Sequence, residues 1–317
     1  MVSARVAAAL IMLVIIILIA FYIRVPGQKS NPNITTSYQT NTTATTVSTM
    51  PPNSTTTSIA PNAINTTAGA FPYSFGWVIE SSSLNKIISI NATLAKWAFD
   101  NPNTMVLGPV PKGWASKSVA VFHNYSALNR SITSLNPNEY YGILLDQENW
   151  SFTPLSEQLN TTYYTMLSYR LAEPHGFVLI STPAIDLAKA YGYSSNFSGE
   201  FDRLGIAYNS SRYSQIYELQ AQSLERNTSK FASFSHEEYL QAKSANPGIR
   251  FFIGISTNPN AENITGSELY AAISSTENFS SGYWLNVPNQ SAYCPRCGEA
   301  KPEVAVQLLQ ILYSRAG

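Results

Sequence analysis

Two carboxylates one residue apart, Asp146 and Glu148, end an apolar run in the middle of this 317-residue chain. Alternate side chains of an extended strand share a face, so both acids are predicted to point the same way. Burial and the charge of one carboxyl hold its neighbour protonated, which divides acid and base roles between the two. Such a pair is suited to glycoside cleavage, in which a carboxyl acid protonates the leaving oxygen. The alternative is that both acids are solvated or cap the helix that follows.

Further polar and aromatic residues lie in or near other apolar runs. Glu218, Gln220 and Gln222 share one face of a strand, and buried polar groups cost stability unless they are satisfied. Tryptophans could stack on sugar rings, although each could equally belong to the core. We therefore predict a substrate-binding set that comprises Glu218, Gln220, Gln222, Trp150, Trp284, Asn286, His123 and Asn258. A satisfied hydrogen-bond network without a substrate is the competing interpretation.

Short apolar runs that could position these residues recur through the second part of the chain. Residues 71–317 approach the ~250 residues typical of a (β/α)₈ barrel, so we predict the α/β class and a TIM-type (β/α)₈ barrel. The acids would lie at the carboxyl ends of its strands, where such barrels bind ligands. The gap between the second and third runs is short and rich in Pro and Gly, so a seven-stranded or irregular barrel is an alternative prediction. The eight candidate strands are 76–80, 104–110, 118–124, 141–148, 176–182, 214–222, 250–257 and 282–287.

Helix start signals fall between these strands. Ser235 to Glu238 and Thr265 to Glu268 both fit the capping box, in which an N-terminal Ser or Thr and a Glu three residues later satisfy each other's backbone N–H groups. Pro154 suits the first turn of a helix over 155–171. Further helices are predicted over 84–99 and 302–315.

The N-terminal part of the chain predicts a membrane anchor and a stalk. After a short flank, 1–5, residues 6–23 carry no charge and are long enough to cross about 30 Å of hydrocarbon. An arginine follows at position 24 in place of a small-residue cleavage site, which favours an uncleaved signal-anchor. Residues 24–70 are rich in Ser, Thr, Asn and Pro and predict a disordered stalk. Asn-x-Ser/Thr sequons recur from Asn33 to Asn289, so we predict a single-pass glycoprotein of the cell membrane with its C-terminal domain outside.

Composition excludes several partners. The chain has 19 basic and 19 acidic side chains, and a zero net charge does not favour nucleic acid. No nucleotide-binding or metalloprotease motif is present, so we expect neither a cofactor nor a metal. Cys294 and Cys297 supply only half of a structural zinc set, and a short disulfide in an oxidising compartment is the preferred interpretation. The sequence does not indicate an oligomeric state.

Two resemblances to known groups of proteins suggest roles for these residues. Tyr141-Gly-Ile-Leu-Leu-Asp-Gln-Glu148 resembles the Asp-Gly-x-Asp-x-Asp-x-Glu signature of the family-eighteen glycoside hydrolases, chitinases and endo-β-N-acetylglucosaminidases. The resemblance implies that Glu148 is the general acid and that Asp146 orients a substrate acetamido group acting as nucleophile. Tyr141 and Leu144 stand where that family has its first two Asp residues.

The second resemblance is to a group of secreted TIM-barrel proteins, many of them bacterial, that have no settled activity. It rests on Gly-Pro-Val-Pro-Lys-Gly-Trp (108–114), Asp-x-Glu-x-Trp-x-x-Thr-Pro (146–154), Gln-Ala-Gln-Ser-Leu-Glu (220–225), Gly-Ile-Ser-Thr-Asn-Pro (254–259) and Gly-Tyr-Trp-Leu-Asn (282–286). The expected function is a membrane-anchored, extracytoplasmic glycoside-hydrolase-like protein. The alternative is a catalytically inactive barrel that binds a glycan or a surface partner.

Overall fold

Eight parallel strands close into a barrel in sequence order, as predicted. The computed structural model describes residues 71–291, 294–295 and 297–316. Each strand pairs with the next one in the chain, and the first pairs with the last. The TIM-type barrel is therefore confirmed, and the seven-stranded alternative is wrong. The strands are β1 (Gly76–Glu80), β2 (Thr104–Leu107), β3 (Lys117–Phe122), β4 (Gly142–Gln147), β5 (Val178–Pro183), β6 (Ile216–Leu219), β7 (Arg250–Ser256) and β8 (Gly282–Asn286).

Helices cover the outside of the ring, joined by short 3₁₀ turns. They are α1 (Ser81–Ile90), α2 (Ala92–Phe99), α3 (Tyr125–Ser131), α4 (Leu155–Gln158), α5 (Thr161–Ala172), α6 (Phe197–Leu204), α7 (Ile206–Ser211), α8 (Thr228–Ala245), α9 (Gly266–Ser274) and α10 (Pro302–Ala316).

Helix boundaries differ from the prediction at three places. The helix predicted over 84–99 is divided at Asn91, whose side chain accepts from Leu94 N and begins α2. The helix predicted over 155–171 is likewise divided, into α4 and α5. The capping box at Ser235 is wrong, because α8 begins seven residues earlier with Asn227 as its cap, and Ser235 is buried inside the helix. The capping box of Thr265 with Glu268 is confirmed at the start of α9.

Strand alternation separates an inner core from an outer one. The inner core fills the barrel with Val78, Met105, Leu107, Val119, Leu144, Ile180, Ile216, Phe252 and Trp284. The intervening residues, such as Ile143, Leu145 and Leu179, pack outward against the helices. This apolar filling makes the lower barrel a packed core rather than a pore.

The inward-facing positions become polar towards the carboxyl ends of the strands. Two residues beyond the inner core, the same strand faces carry Glu80 on β1, Asp146 on β4, Thr182 on β5 and Asn286 on β8. On β6, the inward face becomes polar at Glu218, which is buried and follows the inner-core residue Ile216 by two positions. The chain thus builds a polar cap over an apolar barrel, at the end where barrel enzymes place their sites.

The connection between β2 and β3 is the irregular joint of the ring. No helix is assigned between these strands, and β2 ends at Leu107, three residues before the predicted end. Gly108 follows with φ +105°, a left-handed conformation that favours glycine. The chain therefore turns away at the end of β2, where the adjacent strands β1 and β3 still contribute side chains to the barrel mouth.

The predicted anchor and stalk, residues 6–23 and 24–70, lie outside the described residues. Within the part of the chain that the structure describes, no helix is long and apolar enough to cross a membrane.

Candidate functional site

Asp146 is the fixed centre of the polar cap. Its side chain is buried near the end of β4, where Oδ1 accepts from Gln220 Nε2 at 2.8 Å and from Thr182 Oγ1 at 3.2 Å. Oδ2 lies 3.2 Å from His123 Nδ1. Hydrogen bonds to a charged acceptor are among the stronger ones in proteins, so these partners hold the carboxylate in one orientation.

Glu148 lies beside Asp146, as strand alternation predicts. Its side chain has hydrogen bonds with both Gln220 and Asp146. Burial is the main cause that raises the pKa of Glu148 well above its ordinary value, and the negative charges of Asp146 and Asp186 act in the same direction. The Glu148 backbone N–H donates to Thr153 Oγ1 at 3.3 Å. The two neighbouring carboxyls therefore differ, since Asp146 is held by donors, whereas the surroundings of Glu148 raise its pKa and favour its protonated form.

The polar stripe predicted on strand six, Glu218, Gln220 and Gln222, lies on the predicted face but extends beyond the end of β6. Only Glu218 lies in β6, whereas Gln220 and Gln222 follow its end. Gly254 on β7 makes room for two of these side chains, because a Cβ there would lie 2.7 Å from Glu218 Oε1 and 2.7 Å from Gln222 Cδ. The stripe therefore leans over β7, and only a glycine fits beneath it.

Glu218 is fully buried directly below this cluster. Within the described residues, neither of its carboxyl oxygens has a hydrogen-bond partner. Burial raises the pKa of Glu218 well above its ordinary value, and the charge of Asp146 adds to the effect. Glu218 is thus a neutral acid under the floor of the site rather than a second ionised carboxylate.

His123 and Trp150 form one wall beside Asp146. The two rings meet edge to face with their centroids 4.9 Å apart. Trp150 Nε1 donates to Thr153 Oγ1 at 2.8 Å, and that hydroxyl donates to the His123 carbonyl at 2.8 Å. Thr153 therefore links the Trp150 ring to the backbone of His123, which keeps the two residues together beside Asp146.

Two predicted binding residues on β8 differ in accessibility. Trp284 is buried among the inner core, and its Nε1 has no hydrogen-bond partner among the described residues. Asn286, two residues on, is half-buried at the strand end. Asn286 therefore shares the polar cap, whereas the Trp284 ring packs beneath it as core.

The structure does not bring Asn258 together with the carboxyl pair. Its side-chain amide donates to the Cys297 carbonyl at 2.6 Å and to the Glu299 carbonyl at 3.4 Å. Cys294 and Cys297 form a disulfide. Asn258 thus ties the loop after β7 to the segment after β8, which is a positioning contact.

Four residues of the site were not in the predicted set. Thr182 donates to Asp146, and Asp186 Oδ1 accepts from Asn149 N beside Glu148. Gly254 accommodates Glu218, and Glu80 ends β1 with an exposed side chain. The signal that identified Asp146, an acid on the inward face at the end of an apolar strand, also describes Glu80.

Among the described residues, the inward positions at the barrel mouth differ in exposure from one side to the other. Val121 lies on the inward face of β3 above Val119, yet it is 36% exposed. Across the ring, Thr182 and Gly254 are buried. The opening therefore lies over β1 and β3, beside the short β2.

The arrangement places a carboxyl with a raised pKa, Glu148, next to a carboxylate held by hydrogen bonds, Asp146, and such a carboxyl is suited to donating a proton. Among the described residues, no group of three His, Cys, Asp or Glu side chains is arranged to hold a metal ion.

Comparisons with known proteins do not assign a family to this chain. No protein-family model matches the sequence, and no curated protein matches it either. Among solved structures, the chain is similar to triosephosphate isomerase from Bartonella henselae, with 10% sequence identity and a TM-score of 0.39, over 67% of this chain and 92% of that chain. The chemistry of the site therefore has to be argued from its own residues.

Proposed function

We propose that this protein is a membrane-anchored, extracytoplasmic glycoside-hydrolase-like enzyme that acts on cell-surface or extracellular glycans. Glu148 is its general acid, and Asp146 is the fixed carboxylate beside it. The observation that carries the proposal is the contrast between these two neighbours at the carboxyl end of the barrel, where Asp146 accepts from two donors beside His123 and Glu148 has a raised pKa.

Glycosidic bond cleavage needs this contrast. The leaving oxygen requires a proton at neutral pH, and an ordinary glutamate is ionised there. The raised pKa keeps the Glu148 proton available. The transition state carries positive charge on the sugar ring, and the buried negative charge of Asp146 stabilises it.

Sugar recognition is supported by the surroundings of the pair. Half-buried amides at Gln222 and Asn286 offer both donors and acceptors to sugar hydroxyls. Trp150 offers a partly exposed ring edge beside His123. Polar groups convergent on a partly apolar floor are typical of ligand sites.

An extracytoplasmic setting is supported by two features of the chain. Cys294 and Cys297 form a disulfide, which persists in oxidising compartments. Several sequon asparagines are exposed on the barrel, namely Asn129, Asn160, Asn196, Asn227, Asn263, Asn278 and Asn289. Anchoring through residues 6–23 would then hold the barrel outside the membrane.

A second candidate is a barrel that binds a glycan without cleaving it. Leu144, at a position where the resembling hydrolases carry Asp, packs into the inner core. Tyr141, at another such position, packs against that core and under the Lys117 ammonium, which lies 4.2 Å from its ring centroid. The family's network of acids is therefore missing, and this favours a binding role.

One experiment separates the two candidates. The full chain, in mild detergent, is incubated with β-linked oligosaccharides of glucose, mannose, galactose and N-acetylglucosamine, and the products are separated by chromatography. We expect cleavage by the wild type, and a loss of about 10²–10⁴-fold in Glu148→Gln with binding retained. Glu277→Gln, an exposed acid ahead of β8 at the opposite end of the barrel, is the matched control and should cleave normally. Binding by wild type and Glu148→Gln alike, with no cleavage, would support the binding barrel instead.

A further inference from the structure

The space between the ends of β1 and β3 is here called the trough. It is bordered by the exposed Val121 on β3 and by the exposed Glu80, the last residue of β1. Val78 lies two residues earlier in the inner core, so Glu80 continues the inward face of its strand. On the β2 side the strand ends at Leu107, the residue that pairs with Glu80.

We propose that Glu80 is the general base that activates the attacking water, across the trough from Glu148. The inference rests on the proposed function, since it assigns the second carboxylate of the same reaction. β1 and β4 lie on different sides of the ring, three strands apart. A sugar lying in the trough would therefore have one carboxyl on each face, as direct displacement by water requires.

The other carboxyls near the site are less suited to this role. Glu218 is fully buried under the cluster, and Asp146 is occupied by Gln220, Thr182 and His123. Asp186 accepts from Asn149 N and pairs with Lys189 at 3.2 Å. Glu80 has a hydrogen bond from Ser82 Oγ at 3.3 Å and is exposed to the opening. It is thus the carboxylate that a water in the trough can reach.

Electrostatics supports the placement of Glu80 in the same site. Partial desolvation by the walls of the mouth raises the pKa of Glu80. The hydrogen bond from Ser82 opposes this, the charge of Asp146 adds to it, and Lys86 and His123 lower it. Glu80 therefore senses Asp146 and His123 from the other side of the trough, and a raised pKa makes its ionised form a stronger base.

The proposed step is balanced in one displacement. The Glu80 carboxylate takes a proton from water while the water oxygen bonds to the anomeric carbon. The bond from that carbon to the glycosidic oxygen breaks, and the leaving oxygen takes the proton of Glu148. Solvent then returns the proton to Glu148 and removes the one on Glu80.

The consequence is a broader substrate class than the resemblance implies. Direct attack by water needs no acetamido group on the substrate, so sugars with a 2-hydroxyl are substrates as well as N-acetylated ones. Displacement from the opposite face also inverts the anomeric centre, whereas assistance by an acetamido group retains it. This agrees with Tyr141 and Leu144 standing in place of the family's aspartates.

The test is the anomeric configuration of the first product, followed by proton NMR on the full chain with the β-linked oligosaccharides named above. We expect inversion by the wild type, and a fall in kcat/KM of about 10²–10⁴-fold in Glu80→Gln with little change in substrate binding. Glu277→Gln should match the wild type in both measurements. Folding of Glu80→Gln is checked by its thermal unfolding midpoint, which should be unchanged because the side chain is exposed.

The outcomes separate this inference from the proposed function. Retention of configuration, or full activity of Glu80→Gln, overturns the role of Glu80 while the hydrolase function stands. Absence of cleavage by the wild type overturns both.

Discussion

Replacement of Glu238 by Gln should stabilise the protein above about pH 5. Glu238 lies buried in α8, and neither of its carboxyl oxygens has a hydrogen-bond partner among the described residues. Burial raises the pKa of Glu238 from 4.5 to about 9, with smaller contributions from Asp202 and Glu237. Burial also raises the pKa of Tyr217 on β6, and the charge of Glu238 adds to that effect.

The direction of this pKa shift determines how the unfolding free energy changes with pH. The folded protein keeps the Glu238 proton up to about pH 9, whereas the unfolded chain releases it near pH 4.5. The contribution to stability is therefore complete below pH 4.5 and is lost as the pH rises towards 9. Since each pKa unit corresponds to about 1.4 kcal/mol, the wild type should lose about 4 kcal/mol through this group between pH 5 and pH 8. Glu238→Gln keeps the shape of the side chain without the ionisation and should lack this loss.

The assay is urea unfolding at pH 5, 6, 7 and 8, followed by tryptophan fluorescence on wild type and variant. The difference in unfolding free energy between the two proteins should grow with pH, in favour of the variant, while the dependence on urea stays the same. Glu237→Gln, at the adjacent exposed position, is the control and should change the pH profile far less, because its charge is the smallest of the causes that raise the pKa of Glu238. Parallel pH profiles for wild type and Glu238→Gln would refute the reasoning, because they would mean that Glu238 ionises alike in the folded and unfolded states.

Three further predictions concern the site and its surface. Asp186→Asn removes a negative charge that raises the pKa of Glu148, so the alkaline limit of kcat/KM should move to lower pH. Gly254→Ala forces Glu218 or Gln222 aside and should cost about 1–3 kcal/mol in unfolding free energy, whereas the exposed Gly248→Ala should be neutral. Peptide mapping of the glycosylated protein should find sugar on exposed asparagines such as Asn196, and none on Asn124, Asn149 and Asn209, which are half-buried and whose side-chain amide nitrogen donates internally.

The strands of the barrel could be predicted from sequence because each is a short apolar run. Alternation also predicted that Asp146 and Glu148 lie together, and that Gln220 and Gln222 follow the face of Glu218. These are local properties, since strand geometry alone determines which side chains share a face.

Contacts between distant elements could not be predicted in the same way. The partner of Asn258 is a carbonyl 39 residues away, and its amide looks identical in sequence to one that binds a ligand. Trp284 is core because Val78 and Phe252 surround it in the closed ring, which no periodicity indicates. The Ser235 capping box failed for a related reason: the pattern fits a helix start, but Asn227 begins the helix earlier.

The position of the opening follows from one strand being shorter than the rest. Glu80 pairs with Leu107, and Leu107 pairs with Val119, so β1, β2 and β3 are level at that height. β3 continues past this level to Val121 and Phe122, whereas β2 stops and turns at Gly108, so β2 contributes no strand position beside Val121. A valine that faces the barrel interior is thereby left 36% exposed. A longer second strand would cover it, so the Pro- and Gly-rich gap that weakened the barrel prediction is also what leaves Val121 exposed.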